Sequence, residues 1–170
     1  MRNEKGYLCC VLSTDNFENS RDHESWFGPK KTPTSSAWQS SEAFITNGLK
    51  TFPTLRDTRK AQEELSHKPF VKKISLMHIE MDIAETQKDL DSLKRKRNLV
   101  SIMTTPYEQY VFGKDTEKSA HNGYIPGGYI YTNGRKPFDN YFDAEHSAQE
   151  IKRQGQSRAT IATFKARKVK

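Results

Sequence analysis

Two distant stretches of this chain carry the same turn in the same setting. Ile45-Thr46-Asn47-Gly48-Leu49-Lys50-Thr51-Phe52 lies over Tyr131-Thr132-Asn133-Gly134-Arg135-Lys136-Pro137-Phe138, sharing Thr-Asn-Gly, the Lys and the Phe. Ala61-Gln62-Glu63 follows the first and Ala148-Gln149-Glu150 the second, and each copy then runs into an alternating apolar stretch. Asn-Gly supplies the two positive-φ positions of a type I′ hairpin turn. The matched order predicts an α+β fold of two related antiparallel-sheet units, each strand, Asn-Gly hairpin, helix, strand. A duplicated small unit points to a protein that binds with two similar faces, whereas an enzyme's site tends to be asymmetric.

The units would span residues 1–83 and 107–170, with 84–106 between them. Each is near the lower size at which one core stabilises a domain unaided. Only 34% of the chain is hydrophobic, so the units are expected to pack on each other or on a partner.

In the first unit, Lys5 to Leu12 is apolar on both alternating sides, as in a central strand covered on both faces. Residues 13–40 are polar but contain Trp26, Phe27 and Trp38. A loop this long is uncommon in a compact domain. Its large aromatics either close over the sheet or anchor a partner, burying much area with few rotatable bonds. Ala43 to Phe52 reads as the hairpin, ended by Pro53. Thr54 or Asp57 caps a helix through Leu65, and Pro69 forbids its continuation. Val71 to Ile83 alternates, with Met77, Ile79, Met81 and Ile83 on one side and Lys72, Ile74, Leu76 and His78 on the other.

The second unit follows the same plan. Tyr107 to Phe112 matches the first strand and Gly128 to Phe138 the hairpin. Asp143 caps a helix with inner face Ala144, Ala148 and Ile151, Gly155 stops it, and Ala159 to Val169 is the last strand. Between the units, Ala84 to Met103 is the longest helical pattern. It reads as a connecting helix or as the contact of a homodimer.

The net charge is +7, and no acid follows Glu150, whereas Lys152, Arg153, Arg158, Lys165, Arg167, Lys168 and Lys170 do. Cations unbalanced by carboxylates raise affinity for phosphates through counterion release. Tyr124, Tyr129, Tyr131, Phe138, Tyr141 and Phe142 offer rings for stacking on bases, or else fill the core. Lys94-Arg95-Lys96-Arg97 is a second candidate for phosphate contact. Equally, these cations could simply complement a helix C-terminus.

No catalytic constellation emerges. Cys9-Cys10 are neighbours whose side chains point to opposite faces of a strand, so they read as two buried thiols of a reducing compartment. His23, His67, His78, His121 and His146 are scattered without metal-ligand spacing, and no cofactor motif is present. Gly123-Tyr124-Ile125 before Tyr129-Ile130-Tyr131 departs from the GIY-YIG nuclease pattern, because three residues intervene and the second triplet lacks its Gly. No apolar run is long enough to span a membrane, so the expectation is a cytoplasmic, non-enzymatic protein.

In its basic, compact, cysteine-poor character the chain resembles the accessory proteins that bacteriophages make early in infection to redirect host machinery. That resemblance implies a viral origin and action in the host cytoplasm. The expected partner is nucleic acid, contacted through Lys94, Arg95, Lys96, Arg97, Lys152, Arg153, Arg158, Lys165, Arg167 and Lys168, or a nucleic-acid-processing protein. The alternative is a protein-binding inhibitor of a host enzyme that uses Trp26, Phe27 and Trp38 of loop 13–40, or helix 84–103.

Overall fold

The computed structural model describes residues 1–14, 22–29, 43–45, 51–69, 71–104, 109–114, 129–131, 137–153 and 158–170. They form a mixed α+β fold. The strands are β1 (Arg2–Thr14), β2 (Asp22–Pro29), β3 (Ala43–Ile45), β4 (Val71–Ile83), β5 (Leu99–Thr104), β6 (Gln109–Lys114), β7 (Tyr129–Tyr131) and β8 (Arg158–Lys168). The helices are α1 (Leu55–Ser66), α2 (Gln87–Leu93) and α3 (Tyr141–Arg153). All eight strands join one sheet in the order β3-β2-β1-β4-β8-β5-β6-β7, and every neighbouring pair is antiparallel.

Alternation within β4 sorts its side chains as its sequence does. Leu76 belongs to one apolar cluster, with Cys9, Val11, Phe27, Ala61 and Leu65. Ile79, Met81 and Ile83 belong to another, with Leu8, Cys10 and Phe164. The first cluster lies under α1, which packs on β1 and β4; α3 packs on β5 and β8, over Leu99, Phe138 and Ile161. Both central-region strands β1 and β5 therefore bury side chains on two faces, which is why each reads as a nearly unbroken apolar run.

Each helix begins where its sequence provides a cap. Thr54 accepts from the Asp57 amide at 3.2 Å to start α1. Asn140 accepts from the Asp143 amide at 2.9 Å ahead of α3, so Asp143 is the capped residue and not the cap. Thr86 and Asp89 form a reciprocal capping box on α2. The Asp89 carboxylate also accepts from the amino group of Met1 at 2.9 Å and from the Glu85 amide at 3.0 Å. The amino group, with these backbone donors, holds the Asp89 carboxyl well below the usual carboxylate range.

The Phe residues of the repeated octapeptide occupy matching places. Phe27 lies opposite Cys9, and two residues back along β1 the lane is continued by Phe52, bridged to Tyr7. Phe112 lies opposite Ser101, and two residues back along β5 the lane is continued by Phe138, bridged to Leu99. Each bridge is a reciprocal pair of backbone hydrogen bonds, of 2.9 and 2.8 Å in the first case and 2.9 and 2.6 Å in the second. The Asn47-Gly48 and Asn133-Gly134 turns lie outside the described residues, as does Gly155.

Three expectations need correction. The Ala84–Met103 helix is not formed: α2 ends at Leu93, and Leu99–Met103 are consecutive buried residues of β5. Their apolar spacing imitates a helix only because β5 is covered on both faces, which removes the period-2 signal. Residues 84–104 are thus a short helix, a turn and a strand, and they provide neither a long connecting helix nor a helical dimer seam. Second, the described strand in the Tyr107–Phe112 region is β6, from Gln109 to Lys114, and it is preceded by another strand, β5, where the sequence pattern predicts a helix. Third, loop 13–40 contains β2, whose Phe27 is 0% exposed beneath α1. Pairing with β1 makes this segment a strand without any alternating pattern of its own.

Two buried polar contacts tie the helices to the sheet. The Cys9 thiol donates to the Thr58 carbonyl at 3.4 Å, and Ser101 and Ser147 share a hydroxyl hydrogen bond of 2.6 Å. Cys9 and Cys10 are both buried thiols outside any disulfide, on opposite faces of β1. Burial, reinforced by Cys10, pushes the Cys9 thiol up to about 12. Thiol reagents should therefore label Cys9 only on unfolding, with no rise in rate near pH 8.5, where an exposed thiol ionises; rapid native labelling would contradict its place in the core. Ser147→Ala should cost about 1–3 kcal/mol by leaving the Ser101 hydroxyl unsatisfied. The Ser101→Ala/Ser147→Ala pair should lie closer to wild type than either single change, and a denaturant-melt double-mutant cycle measures the difference.

Candidate nucleic-acid interface

Asn98 has φ 56°, and among the described residues no other non-glycine residue has positive φ. Asparagine is one of the few side chains that tolerates this left-handed region. The turn it closes is tight: the Lys94 amide donates to the Asp91 carbonyl at 3.4 Å and the Lys96 amide to the Leu93 carbonyl at 2.9 Å. Asn98 then hands the chain to β5, and its carbonyl accepts from the Phe164 amide at 2.7 Å.

That geometry sets Lys94–Arg97 on the rim of an open concavity of about 720 Å³, completed by Asn98 and by Asp139, Asn140 and Tyr141. A second concavity of about 410 Å³ lies on the other side of Asn98, lined by Pro137 and by Phe164 to Arg167. Asn98 lines both. Two basic tracts far apart in sequence thus meet around one residue.

Their charges are mostly uncompensated. Lys94 bonds Asp91 at 2.7 Å. This contact holds the Asp91 carboxyl below its ordinary value and the Lys94 ammonium above its own. Arg95, Lys96, Arg97, Lys165, Arg167 and Lys168 form no ion pair among the described residues. Lys165 does stand in register opposite Glu80 on β4. Tyr141 is half-buried at the mouth of the larger concavity, and burial, with Glu145 beside it, raises its phenol.

The other expected site residues fall elsewhere. Lys152 and Arg158 line a separate concavity with Arg2 and the start of α2, and Arg153 pairs with Glu150. Arg158 and Lys168 stand at opposite ends of β8, roughly 30 Å apart at a strand's rise per residue. The C-terminal cations therefore do not form one surface, because an extended strand spreads them. Of the aromatics, Phe138 is buried, and Phe142 is 74% exposed and stacks on His146 at 6.4 Å between ring centroids. Phe27 is a core residue and not a partner anchor. Trp26 stands in β2 opposite Cys10, while Trp38 and Tyr124 lie outside the described residues. Asn98 was not singled out from sequence; an Asn directly before an apolar run was its available signal.

His78 packs its ring edge-on to Tyr7 at 5.1 Å, as a half-buried structural residue. Among the described residues no group of three or more His, Cys, Asp or Glu could hold a metal, and no helix is long and apolar enough to cross a membrane. Comparison with protein-family models, with curated proteins and with solved structures returns no match.

Asn98 gives the site a direct test. Asn98→Gly should leave stability and binding nearly unchanged. Asn98→Val should cost about 1–2 kcal/mol, the penalty of a left-handed L-residue, and weaken any ligand spanning both concavities. Thermal melts of the two variants would check this, with equal stabilities counting against the turn.

Proposed function

We propose that this protein is a small non-catalytic accessory protein that holds the phosphate backbone of nucleic acid with the cations around Asn98. The observation that carries the reading is the convergence of Arg95, Lys96 and Arg97 with Lys165 and Arg167 on either side of that residue. Phosphates are spaced along an extended chain, so a ligand contacting both tracts gains from each without needing a deep pocket. Tyr141 supplies a ring on which an unpaired base can stack, which favours single strands over duplex. Action in a host cytoplasm, as the phage-like composition suggests, belongs to the same reading.

The same reading makes the chain two related units. It is supported by the mirrored strand order, by the matching Phe52 and Phe138 bridges, and by buried helix positions in register with each other. Thr58, Ala61 and Leu65 of α1 follow Phe52 at the same separations at which Ala144, Ser147 and Ile151 of α3 follow Phe138. The inhibitor alternative is weakened at both of its contacts, since Phe27 is in the core and helix 84–103 is not formed.

Salt titration of a labelled single-stranded oligonucleotide, followed by anisotropy, tests the proposal. Each phosphate contact contributes about 0.7 to the slope of log affinity against log salt for a single strand. Lys96→Glu/Arg97→Glu and Lys165→Glu/Arg167→Glu should each flatten that slope by about 1.4, for all sequences alike. Lys152→Glu should leave it unchanged. Slopes untouched by both double reversals would overturn the assignment.

A further inference from the structure

The centre of the sheet contains a strand lane that is filled on one side and open on the other. Hydrogen bonds in an antiparallel pair alternate, so successive residues of a strand offer their N–H and C=O to opposite neighbours. On β8 the phase is fixed by two bonds: the Val169 amide donates to Leu76 of β4 at 2.9 Å, and the Phe164 amide donates to Asn98 at 2.7 Å. Odd-numbered residues of β8 therefore bond to β4, and Ala166 and Lys168 present their backbone groups toward the β5 side.

β5 does not reach them. Its pairing with β8 begins at Leu99↔Thr163, and beyond Asn98 the chain turns away through Arg97 to Lys94. Among the described residues nothing pairs with the backbone of Ala166 or Lys168 on that side. The smaller concavity beside Asn98, with Ala166 in its wall, is the space left open there among the described residues. Across the sheet the corresponding stretch of β4 is covered, because Arg2 to Lys5 of β1 run alongside Ile83 to Glu80.

We infer that this lane along Ala166 and Lys168 is a docking site for an extended acidic segment of a partner protein, added to β8 as an antiparallel strand. Main-chain groups would supply the hydrogen bonds, as in other strand additions. Charge selects the occupant: Lys165, Arg167 and Lys168 project from the receiving strand, Arg95 to Arg97 line the neighbouring concavity across Asn98, and no acid follows Glu150. A segment alternating carboxylate and apolar residues would place its acids against Lys165 and Arg167 and its apolar residues beside Phe164. This site goes beyond the nucleic-acid reading, because it needs backbone groups that phosphate contacts do not use.

The probe is a short fluorescein-labelled peptide of alternating Glu and Val, with a copy N-methylated on alternate amides as a control of equal charge. The protein should bind the first and hold the second about tenfold more weakly or worse, as expected when main-chain hydrogen bonds are lost. Ala166→Pro removes only the N–H that faces the lane, a position where a sheet edge admits proline. It should weaken peptide binding by a similar factor while leaving the oligonucleotide's salt slope intact. Hydrogen exchange in the wild-type protein reads the same contact without a variant. The Ala166 and Lys168 amides should exchange fast when free and slow down with peptide, while Lys165 and Arg167 stay protected throughout. Equal affinity for the two peptides, absence of peptide binding, or unchanged exchange at Ala166 and Lys168 would each overturn the site. Flattened salt slopes would still uphold the nucleic-acid reading in any of those cases.

Discussion

The pairing of β4 with β8 is the contact on which the rest of the molecule depends. From Met77↔Lys168 to Ile83↔Ala162 it joins four strands on one side to four on the other, and it is the only strand pairing that does so among the described residues. Each side alone carries one main helix and a core near the minimum that a single domain can live on. Joined, they share an apolar cluster that runs without a break from Leu8 of β1 through Met81 and Phe164 to Val111 of β6. The pairing also fixes the phase of every hydrogen bond in the middle of the sheet. Residues of β4 that face β8 cannot face β1, and those of β8 that face β4 cannot face β5.

The parts of this architecture legible in the sequence were those with an unambiguous period or punctuation. β4 alternates over its whole length, and Thr54 and Pro69 bracket α1, so both could be placed to within a few residues. α3 and β8 were readable for the same reasons. β5 was not, because Leu99, Val100, Ile102 and Met103 are buried on both faces, and its one polar residue among them, Ser101, is buried as well. β2 was hidden differently: Gly28 and Pro29 are poor strand residues, and pairing with β1 and β3 makes the segment extended. Of the candidate site, the two basic tracts were visible as tracts. Their meeting at Asn98 was not, since it depends on how far β5 extends along β8, a tertiary fact with no local trace.

Gly6 and Asn98 show how one structural problem is met in two ways. Each directly precedes the residue that bridges to a Phe, Tyr7 in one case and Leu99 in the other. At Gly6 the incoming chain passes so close that a Cβ would lie 2.2 Å from the Thr51 hydroxyl and 2.7 Å from the Phe52 carbonyl. Glycine lets β1 continue straight beneath that crossing, and Arg2 to Lys5 stay paired with β4. At Asn98 the chain takes a left-handed turn instead and leaves the sheet. The difference is one of backbone path and not of side-chain chemistry.

That difference has functional weight on the proposed duplication. Two identical units would have closed the sheet's centre symmetrically and left little at the middle to bind with. Because β5 turns away at Asn98, the segment that would have covered β8 becomes a cationic rim, Arg95 to Arg97, and among the described residues β8 is left with backbone groups facing an open lane. Both proposed ligand contacts follow from that one departure. The cations gather there because the turn and the uncovered strand are neighbours. The lane opens there because the residues that form the turn are no longer available to fill it. Function in such a fold is to be sought where the halves differ, since the matching positions are committed to the core.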